Sequence, residues 1–137
     1  MRVRAARRDL KRVMPRAFMG ILRAKVVLLS PDEGHAETLE LIVDTGSTLT
    51  WIDASMLRRL GYRQRGKRLF KPIRGKEFQK PLCDAIIECQ GIRASVGVVF
   101  ASPREAHVLG VTALERLGLE IDPIRPALRR SRAFLAL

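Results

Sequence analysis

The sequence has few of the residues that build metal sites, and it lacks the long apolar runs that cross membranes. Its 137 residues include only 2 cysteines and 2 histidines. No C-x-x-C pair occurs, and His35 and His107 have no clustered partners, so we expect no metal and no cofactor. No apolar run approaches the roughly 20 residues of a transmembrane helix, so we expect no membrane partner.

The two cysteines do not suit a disulfide bond. On one extended strand, the α-carbons of Cys83 and Cys89 would lie roughly 20 Å apart, at about 3.3 Å per residue. A disulfide requires a separation below about 7 Å, so we expect two reduced thiols. Basic residues interrupt every apolar stretch near the N-terminus, so no secretory signal is indicated and a cytoplasmic location is expected.

Positive charge is concentrated at the two ends and in one internal stretch. The net charge is +12, and most of the excess lies in residues 1–18 and 125–137. Between Arg58 and Lys80, Glu77 is the only acid among many Lys and Arg residues, which favours a negatively charged partner or substrate.

The length allows one domain, which we assign to residues 19–137. Two interpretations of residues 1–18 stay open. In the first, they are a disordered extension, or they precede a true start at Met14 or Met19. In the second, this basic arm binds nucleic acid or an acidic partner.

Short β-type runs separated by turn residues dominate the chain from residue 19 onward. Val, Leu, Ile and Thr recur in these runs, and Gly, Pro, Asp and Ser separate them. The predicted strands cover residues 21–29, 39–43, 48–52, 85–89, 92–100 and 119–122. A predicted hairpin over residues 68–81 has Arg74-Gly75-Lys76 at its tip.

Two short helices complete the predicted secondary structure. The first covers residues 54–60, with Asp53 as its N-cap and Gly61 after its end. The second covers residues 111–117 and ends at Gly118. Seven or eight short strands with two such helices indicate a closed or nearly closed all-β barrel.

The segment around Asp44 carries the clearest chemical signal. An apolar strand leads into Asp44-Thr45-Gly46-Ser47 and another apolar strand leaves it. Val108-Leu109-Gly110 comes later, directly before the second predicted helix. Because an Asp-x-Gly alone is more often an ordinary turn, the order of the surrounding elements carries the inference.

From about Met19 to Asp122, this order resembles that of the retropepsin-like aspartic proteases, including their cellular bacterial and archaeal relatives. In that family a strand, Asp-Thr-Gly, a strand, a flap hairpin, two strands, an apolar-apolar-Gly segment, a short helix and a strand follow one another. Ile86–Ile92 and Val108–Leu119 are closely similar to segments of family members. The resemblance implies a closed acid-protease barrel and an aspartic endopeptidase.

The implied reaction needs two carboxylates. One takes a proton from water while the other protonates the carbonyl oxygen of the peptide, so the pair shares one proton. The chain supplies only Asp44, and the resemblance therefore implies a C2 homodimer with an Asp44/Asp44 dyad. It also implies that Thr45 hydrogen-bonds across the twofold axis, and that Gly46 lets the backbone approach the carboxylates.

The resemblance assigns substrate binding to Ser47 and to the hairpin tip. Gly75 would let the hairpin close over an extended peptide, with Ile73, Arg74 and Lys76 beside it. The alternative is a surface hairpin without ligand contacts. We expect the Ser47 hydroxyl to donate to the Asp44 carboxylate, which would favour its charged form.

Two features depart from the family pattern or extend it. Trp51 replaces a small aliphatic residue and is interpreted as core filling, while Phe134–Leu137 is the candidate inter-subunit strand.

Two rival functions stay open beside the endopeptidase. The first is a non-catalytic dimerisation or binding module, and the second is a nucleic-acid-associated protein that binds through its basic ends. The intact Asp44-Thr45-Gly46 favours the endopeptidase.

Overall fold

A computed structural model describes residues 21–132 of the chain. The predicted extension over residues 1–18 and the candidate strand Phe134–Leu137 lie outside these residues. Within them, the chain forms β1 (Arg23–Leu29), β2 (Ala36–Asp44), β3 (Thr50–Asp53), α1 (Ala54–Arg59), β4 (Gly66–Phe70), β5 (Phe78–Cys89), β6 (Ile92–Ala101), β7 (Val108–Gly110), α2 (Val111–Leu117), β8 (Leu119–Ile121) and β9 (Leu128–Arg130).

Six of these strands form a closed mixed barrel. The order around it is β1-β2-β7-β3-β6-β5, and β5 pairs again with β1. The β1–β2, β5–β6 and β1–β5 pairs are antiparallel, whereas β2–β7 and β3–β6 are parallel. The closed all-β barrel with two short helices is therefore confirmed.

The barrel interior is filled by alternate side chains of its strands. Along β1, Ala24, Val26 and Leu28 are buried while their neighbours Arg23 and Lys25 are exposed, as the period of two in a strand requires. Each large aliphatic side chain that is fully buried contributes about 1.5–3 kcal/mol to folding. The largest fully buried side chains include Phe100, Leu28, Leu41, Ile52, Leu57, Ile87, Leu109 and Leu117.

A tyrosine hydroxyl joins the two strands that close the barrel. The β1–β5 pairing ends at Leu29 opposite Ile86. The Tyr62 hydroxyl donates to the Leu29 carbonyl at 2.5 Å and accepts a hydrogen bond from the Ile86 N–H at 2.9 Å. Burial raises the pKa of Tyr62, so its hydroxyl stays protonated and can donate.

Strand β5 belongs both to the barrel and to a projecting hairpin. Its first part pairs with β4 over Phe78–Leu82, and its second part pairs with β6 over Leu82–Cys89. Pro81 lies at this junction, opposite Lys67. The loop over residues 71–77 joins β4 to β5, and Gly75 within it has a φ of 103°. The predicted hairpin is therefore confirmed.

Two details of the secondary structure differ from the prediction. Strand β9 was not expected, because residues 128–132 are rich in arginine; it pairs with β8, where the Arg129 side chain contacts the Glu120 carboxylate at 2.6 Å. Asp53 lies at the N-cap of α1 but makes no side-chain cap hydrogen bond. Its carboxylate instead accepts a hydrogen bond from the Ser55 hydroxyl.

The glycines predicted to follow the two helices do so in the structure. Gly61 and Gly118 follow the two helices with positive φ, the conformation for which glycine is favoured. Cys83 and Cys89 both lie on β5 with free, buried thiols. Between residues 21 and 132, neither helix is long and apolar enough to cross a bilayer.

Candidate active site

Asp44 is the last residue of β2, and its exposed carboxylate is held by the turn that follows. The Gly46 N–H donates to Asp44 Oδ1 at 2.9 Å, and the Ser47 N–H donates to the Asp44 carbonyl at 3.1 Å. A β-carbon on Gly46 would lie 3.2 Å from Asp44 Oδ1, closer than ordinary contact. Thr45 lies exposed beside the carboxylate. The turn therefore fixes the carboxylate in an outward position.

Gly110 supports this turn from the neighbouring strand. It pairs with Asp44 in the parallel register of β2 and β7. A β-carbon on Gly110 would lie 2.4 Å from the Leu49 carbonyl oxygen and 2.8 Å from that of Ser47. The Gly110 N–H donates to the buried Thr50 hydroxyl at 3.0 Å. Only glycine allows the strand to come this close, and Val108-Leu109-Gly110 lies beneath the Asp44 loop as predicted.

The first residues of α2 bind the carbonyl groups of the same loop. The Val111 N–H donates to the Ser47 carbonyl at 2.8 Å, and the Thr112 N–H donates to the Thr48 carbonyl at 3.3 Å. The Thr112 hydroxyl donates to the same Thr48 carbonyl. These bonds tie the loop to the helix that follows β7, so the position of Asp44 depends on residues far away in the sequence.

The predicted bond from Ser47 to Asp44 is wrong in this structure. The Ser47 hydroxyl donates to the Leu49 carbonyl at 2.7 Å, two residues further along the chain. Serine often bonds to nearby backbone in this way, and the loop brings that carbonyl within reach. The Ser47 hydroxyl therefore bonds within the loop and does not favour the charged form of Asp44.

A first cleft opens beside Asp44. Its volume is about 400 Å³. Its two charged residues are both acids, Asp44 and Glu105, and its apolar wall includes Trp51 and Val108. The complete lining is Asp44, Gly46, Ser47, Trp51, Glu105, Ala106 and Val108.

Glu105 is held in place by a lysine from the hairpin. Lys80 Nζ lies 2.7 Å from Glu105 Oε1, and the Ser102 N–H donates to the same oxygen at 2.7 Å. Partial burial raises the pKa of Glu105, but the bonds from Lys80 and Ser102 outweigh it and lower the pKa below its usual value. The Glu105 carboxylate therefore stays charged and turned toward Lys80.

A second cleft adjoins the first and reaches the hairpin. Its volume is about 510 Å³. It shares Gly46, Ser47 and Trp51 with the first cleft, so the two meet at the loop that follows Asp44. Its remaining lining is Thr48, Leu49, Arg68, Leu69, Phe70 and Lys71.

Trp51 lies between the two clefts, so its interpretation as a core residue is wrong. The ring centroids of Trp51 and Phe70 are 5.1 Å apart, and Phe70 stacks on Phe78 at 5.7 Å. Trp51 is half-buried, whereas its neighbours Thr50 and Ile52 are fully buried. The alternation of β3 gives the signal: with Ile52 in the core, Trp51 must face the other way.

The predicted tip residues stand apart from both clefts in the single chain. Ile73, Arg74, Gly75 and Lys76 are exposed, and they line neither cleft. Residues 68–71, at the end of β4 and the start of the loop, line the second cleft instead. The structure therefore brings Ser47 next to Asp44 and leaves the hairpin tip projecting.

Comparison with solved structures gives a match for this architecture. The solution structure of the simian foamy virus (mac) protease matches with a TM-score of 0.51 and 19% sequence identity, covering 68% of this chain and 91% of that one. The fold is that of a retroviral protease. At this identity the retropepsin-like match establishes the fold alone. No protein-family model and no curated protein sequence matches the chain.

Proposed function

We propose that the chain is an aspartic endopeptidase whose active site forms when two copies bring their Asp44 carboxylates together at a twofold axis. The observation that carries the proposal is the exposed Asp44 carboxylate at a cleft, on a loop fixed by Gly110 and by the start of α2. The retroviral-protease fold supports it. Because one chain supplies one such carboxylate, the proposal requires the homodimer.

The proposed reaction uses the two carboxylates in different protonation states. Two carboxyl groups in contact do not both ionise, because the two negative charges would repel each other. Aspartic proteases are the standard example of this effect. The charged Asp44 removes a proton from water as the oxygen bonds to the peptide carbonyl carbon. The protonated Asp44 gives its proton to the carbonyl oxygen. The carbon–nitrogen bond then breaks as the carboxyl group that took the proton from water protonates the leaving amine. The other carboxylate recovers a proton from one hydroxyl of the tetrahedral intermediate, and the carbonyl group forms again.

Neighbouring residues have positioning roles in this proposal. Thr45 hydrogen-bonds across the axis, and Gly46 keeps the space beside the carboxylate open while its N–H orients it. The peptide lies extended along the two clefts, in contact with Ser47. The hairpin tip, with Ile73, Arg74, Gly75 and Lys76, then covers the peptide in the dimer.

The domain bounds, the branch of the family and the cellular compartment complete the proposed function. Residues 19–137 form the proposed catalytic domain, and residues 1–18 form a basic extension. The sequences over residues 86–92 and 108–119 favour the cellular branch of the family. The free thiols of Cys83 and Cys89 favour a reducing compartment such as the cytoplasm.

Digestion of casein between about pH 3 and pH 7 tests the proposal, because general acid–base catalysis by carboxyl groups favours acidic conditions. The wild type should cleave, pepstatin should inhibit, and Asp44→Asn should abolish cleavage while leaving the dimer intact in analytical ultracentrifugation. Asp84→Asn, which changes an exposed carboxylate outside both clefts, is the matched control. Cleavage that survives Asp44→Asn refutes the dyad. A verified dimer that cleaves nothing is the non-catalytic module instead.

A further inference from the structure

The two clefts that meet at Trp51 differ in charge. The charged residues that line the first cleft are Asp44 and Glu105. Those that line the second are Arg68 and Lys71, and no acid lines it. Lys80 neutralises Glu105, so among the described residues Asp44 is the carboxylate of the first cleft that has no ion pair. A ligand that spans both clefts therefore passes from the Asp44 carboxylate to two basic side chains.

We propose that the second cleft selects a negatively charged side chain, Asp or Glu, in the peptide substrate close to the cleaved bond. The inference rests on the proposed function and names the substrate class of that site. The two clefts share Gly46, Ser47 and Trp51. Because side chains on one face of an extended peptide recur about every 7 Å, neighbouring substrate positions fill neighbouring clefts.

Strand pairing shows which charges the hairpin turns toward the cleft. Arg68 lies opposite Lys80, and Phe70 lies opposite Phe78. Directly opposed residues share a face of a sheet, so these four side chains form the face that carries Phe70 against Trp51. Lys67 alternates with Arg68 and belongs to the opposite face.

Of the two basic residues on this face, Arg68 is the one left to bind a ligand. Lys80 is already paired with Glu105 at 2.7 Å. Among residues 21–132, no carboxylate forms an ion pair with Arg68 or Lys71. A guanidinium presents a planar pair of donors that fits a carboxylate with two parallel hydrogen bonds. Arg68 is therefore the proposed specificity residue, with Lys71 adding charge.

The apolar wall of the second cleft strengthens this selection. Trp51, Leu49 and Phe70 line the cleft beside the two basic residues. They offer contact to the methylene groups of a Glu side chain, and they reduce the water that screens its charge. A neutral Gln of the same shape would make the apolar contact without the charge interaction.

A peptide fits this charge pattern better than a nucleic acid does. A nucleic-acid strand carries a negative charge at every nucleotide, so a strand continuing from the second cleft would meet the Asp44 carboxylate. A peptide can place one carboxylate in the second cleft and uncharged residues in the first. The observations therefore favour an acidic peptide over a polyanion.

Matched peptides test the inference with the dimeric enzyme. Peptides derived from an observed casein cleavage site would carry Glu, Gln or Lys at each of the three positions on either side of the bond. At one position or more, Glu should exceed Gln by roughly 3- to 10-fold in kcat/KM, and Lys should be worst. Added salt should reduce the preference, because it screens the interaction.

Substitutions assign the preference to one residue. Arg68→Gln should remove the preference for Glu, and Arg68→Glu should shift it toward Lys. Lys67→Glu is the matched control, since it makes the same charge change one residue away on the opposite hairpin face. If Lys67→Glu reduces the preference for Glu over Gln as much as Arg68→Glu does, the effect comes from the overall charge of the hairpin, and the assignment to Arg68 is overturned.

Binding measurements decide the inference independently of cleavage. Fluorescence anisotropy with the Asp44→Asn protein should show tighter binding of the Glu peptide than of the Gln peptide. Equal affinities, or equal kcat/KM values in an active enzyme, overturn the inference while leaving the protease proposal intact. A labelled single-stranded DNA serves as a third probe. If it outcompetes the Glu peptide and Arg68→Glu abolishes its binding, the cleft binds polyanions and the inference is overturned.

Discussion

The carbonyl oxygen of Leu49 lies 2.4 Å from the place where a β-carbon on Gly110 would stand. The same carbonyl accepts a hydrogen bond from the Ser47 hydroxyl, and the Gly110 N–H donates to the Thr50 hydroxyl, so the loop that carries Asp44 and strand β7 are held in close contact. Because the Leu49 carbonyl and the Gly110 α-carbon both belong to the main chain, neither can move away without disturbing the loop that carries Asp44.

Gly110→Ala should therefore destabilise the fold and disable the site together. We expect a loss of about 2 to 4 kcal/mol in the free energy of unfolding, because the new methyl group meets backbone rather than a flexible side chain. Urea denaturation measures it. Gly66→Ala is the control, because no atom lies within 4 Å of its added β-carbon. Equal stability of the two variants would contradict the close packing beneath Asp44.

Tyr62→Phe should weaken the closure of the barrel. The change leaves the Ile86 N–H and the Leu29 carbonyl without the hydroxyl that joins them. Removing one partner from buried polar groups costs about 1 to 3 kcal/mol. Hydrogen exchange should quicken at the Ile86 amide more than at amides of the β5–β6 ladder. If the exchange rates of all β5 amides in the variant rise by the same factor, the Tyr62 hydroxyl does not specifically protect the Ile86 amide.

Much of this fold could be predicted because local signals and tertiary structure agree. The apolar run before Asp44, the glycines after both helices and the two apolar runs over residues 85–89 and 92–100 each predict the element that forms. Strand β9 could not be predicted, since its arginine-rich residues have no local strand signal and their pairing with β8, including the contact between Arg129 and Glu120, is not apparent from the sequence of that segment.

The candidate site was harder to predict because its contacts are distant in sequence. The motif identified Asp44, and the spacing of Val108-Leu109-Gly110 identified its support. The Ser47 bond depends on where the Leu49 carbonyl points, which sequence spacing does not determine. Glu105 and Lys80 come together only when the hairpin folds over the loop before β7, so neither stood out as a cleft residue.

Glu105→Gln should reduce stability in a pH-dependent way. The folded-state pKa of Glu105 is lowered from its usual value of 4.5, so the charged form stabilises the fold. The wild type should exceed the variant by up to about 1 kcal/mol above pH 5, and the difference should vanish as the pH falls through the lowered pKa. Glu77→Gln is the control, since Glu77 is exposed and forms no ion pair among the described residues. A difference that grows in acid would contradict the assignment.

Trp51 should report peptide binding by its fluorescence. It is the only tryptophan in the chain, and it lines both clefts. A bound peptide should cover the partly exposed indole, exclude water and shift its emission to shorter wavelength. Titration of the Asp44→Asn protein with a peptide substrate measures the shift. An unchanged spectrum at peptide concentrations that saturate anisotropy would place the peptide elsewhere.

The two thiols should resist modification in the folded protein. Burial, with a smaller contribution from the charge of Asp84, raises the pKa of Cys83 to about 12, and burial also raises the pKa of Cys89. At pH 8, neither thiol should react with DTNB until the protein is unfolded in guanidinium chloride. Rapid reaction of the native protein would show that β5 opens locally.

Pro81 is a position at which the hairpin can bend relative to the barrel. It stands where β5 leaves the barrel, opposite Lys67, and it has no N–H with which to complete the ladder there. The strand from Pro81 to Phe78 is about 10 Å long, so a bend of about 10° at Pro81 moves Phe78 by about 2 Å and moves the tip beyond it further. The position of the hairpin tip is thus set by an angle at the barrel wall, several residues away from the tip itself.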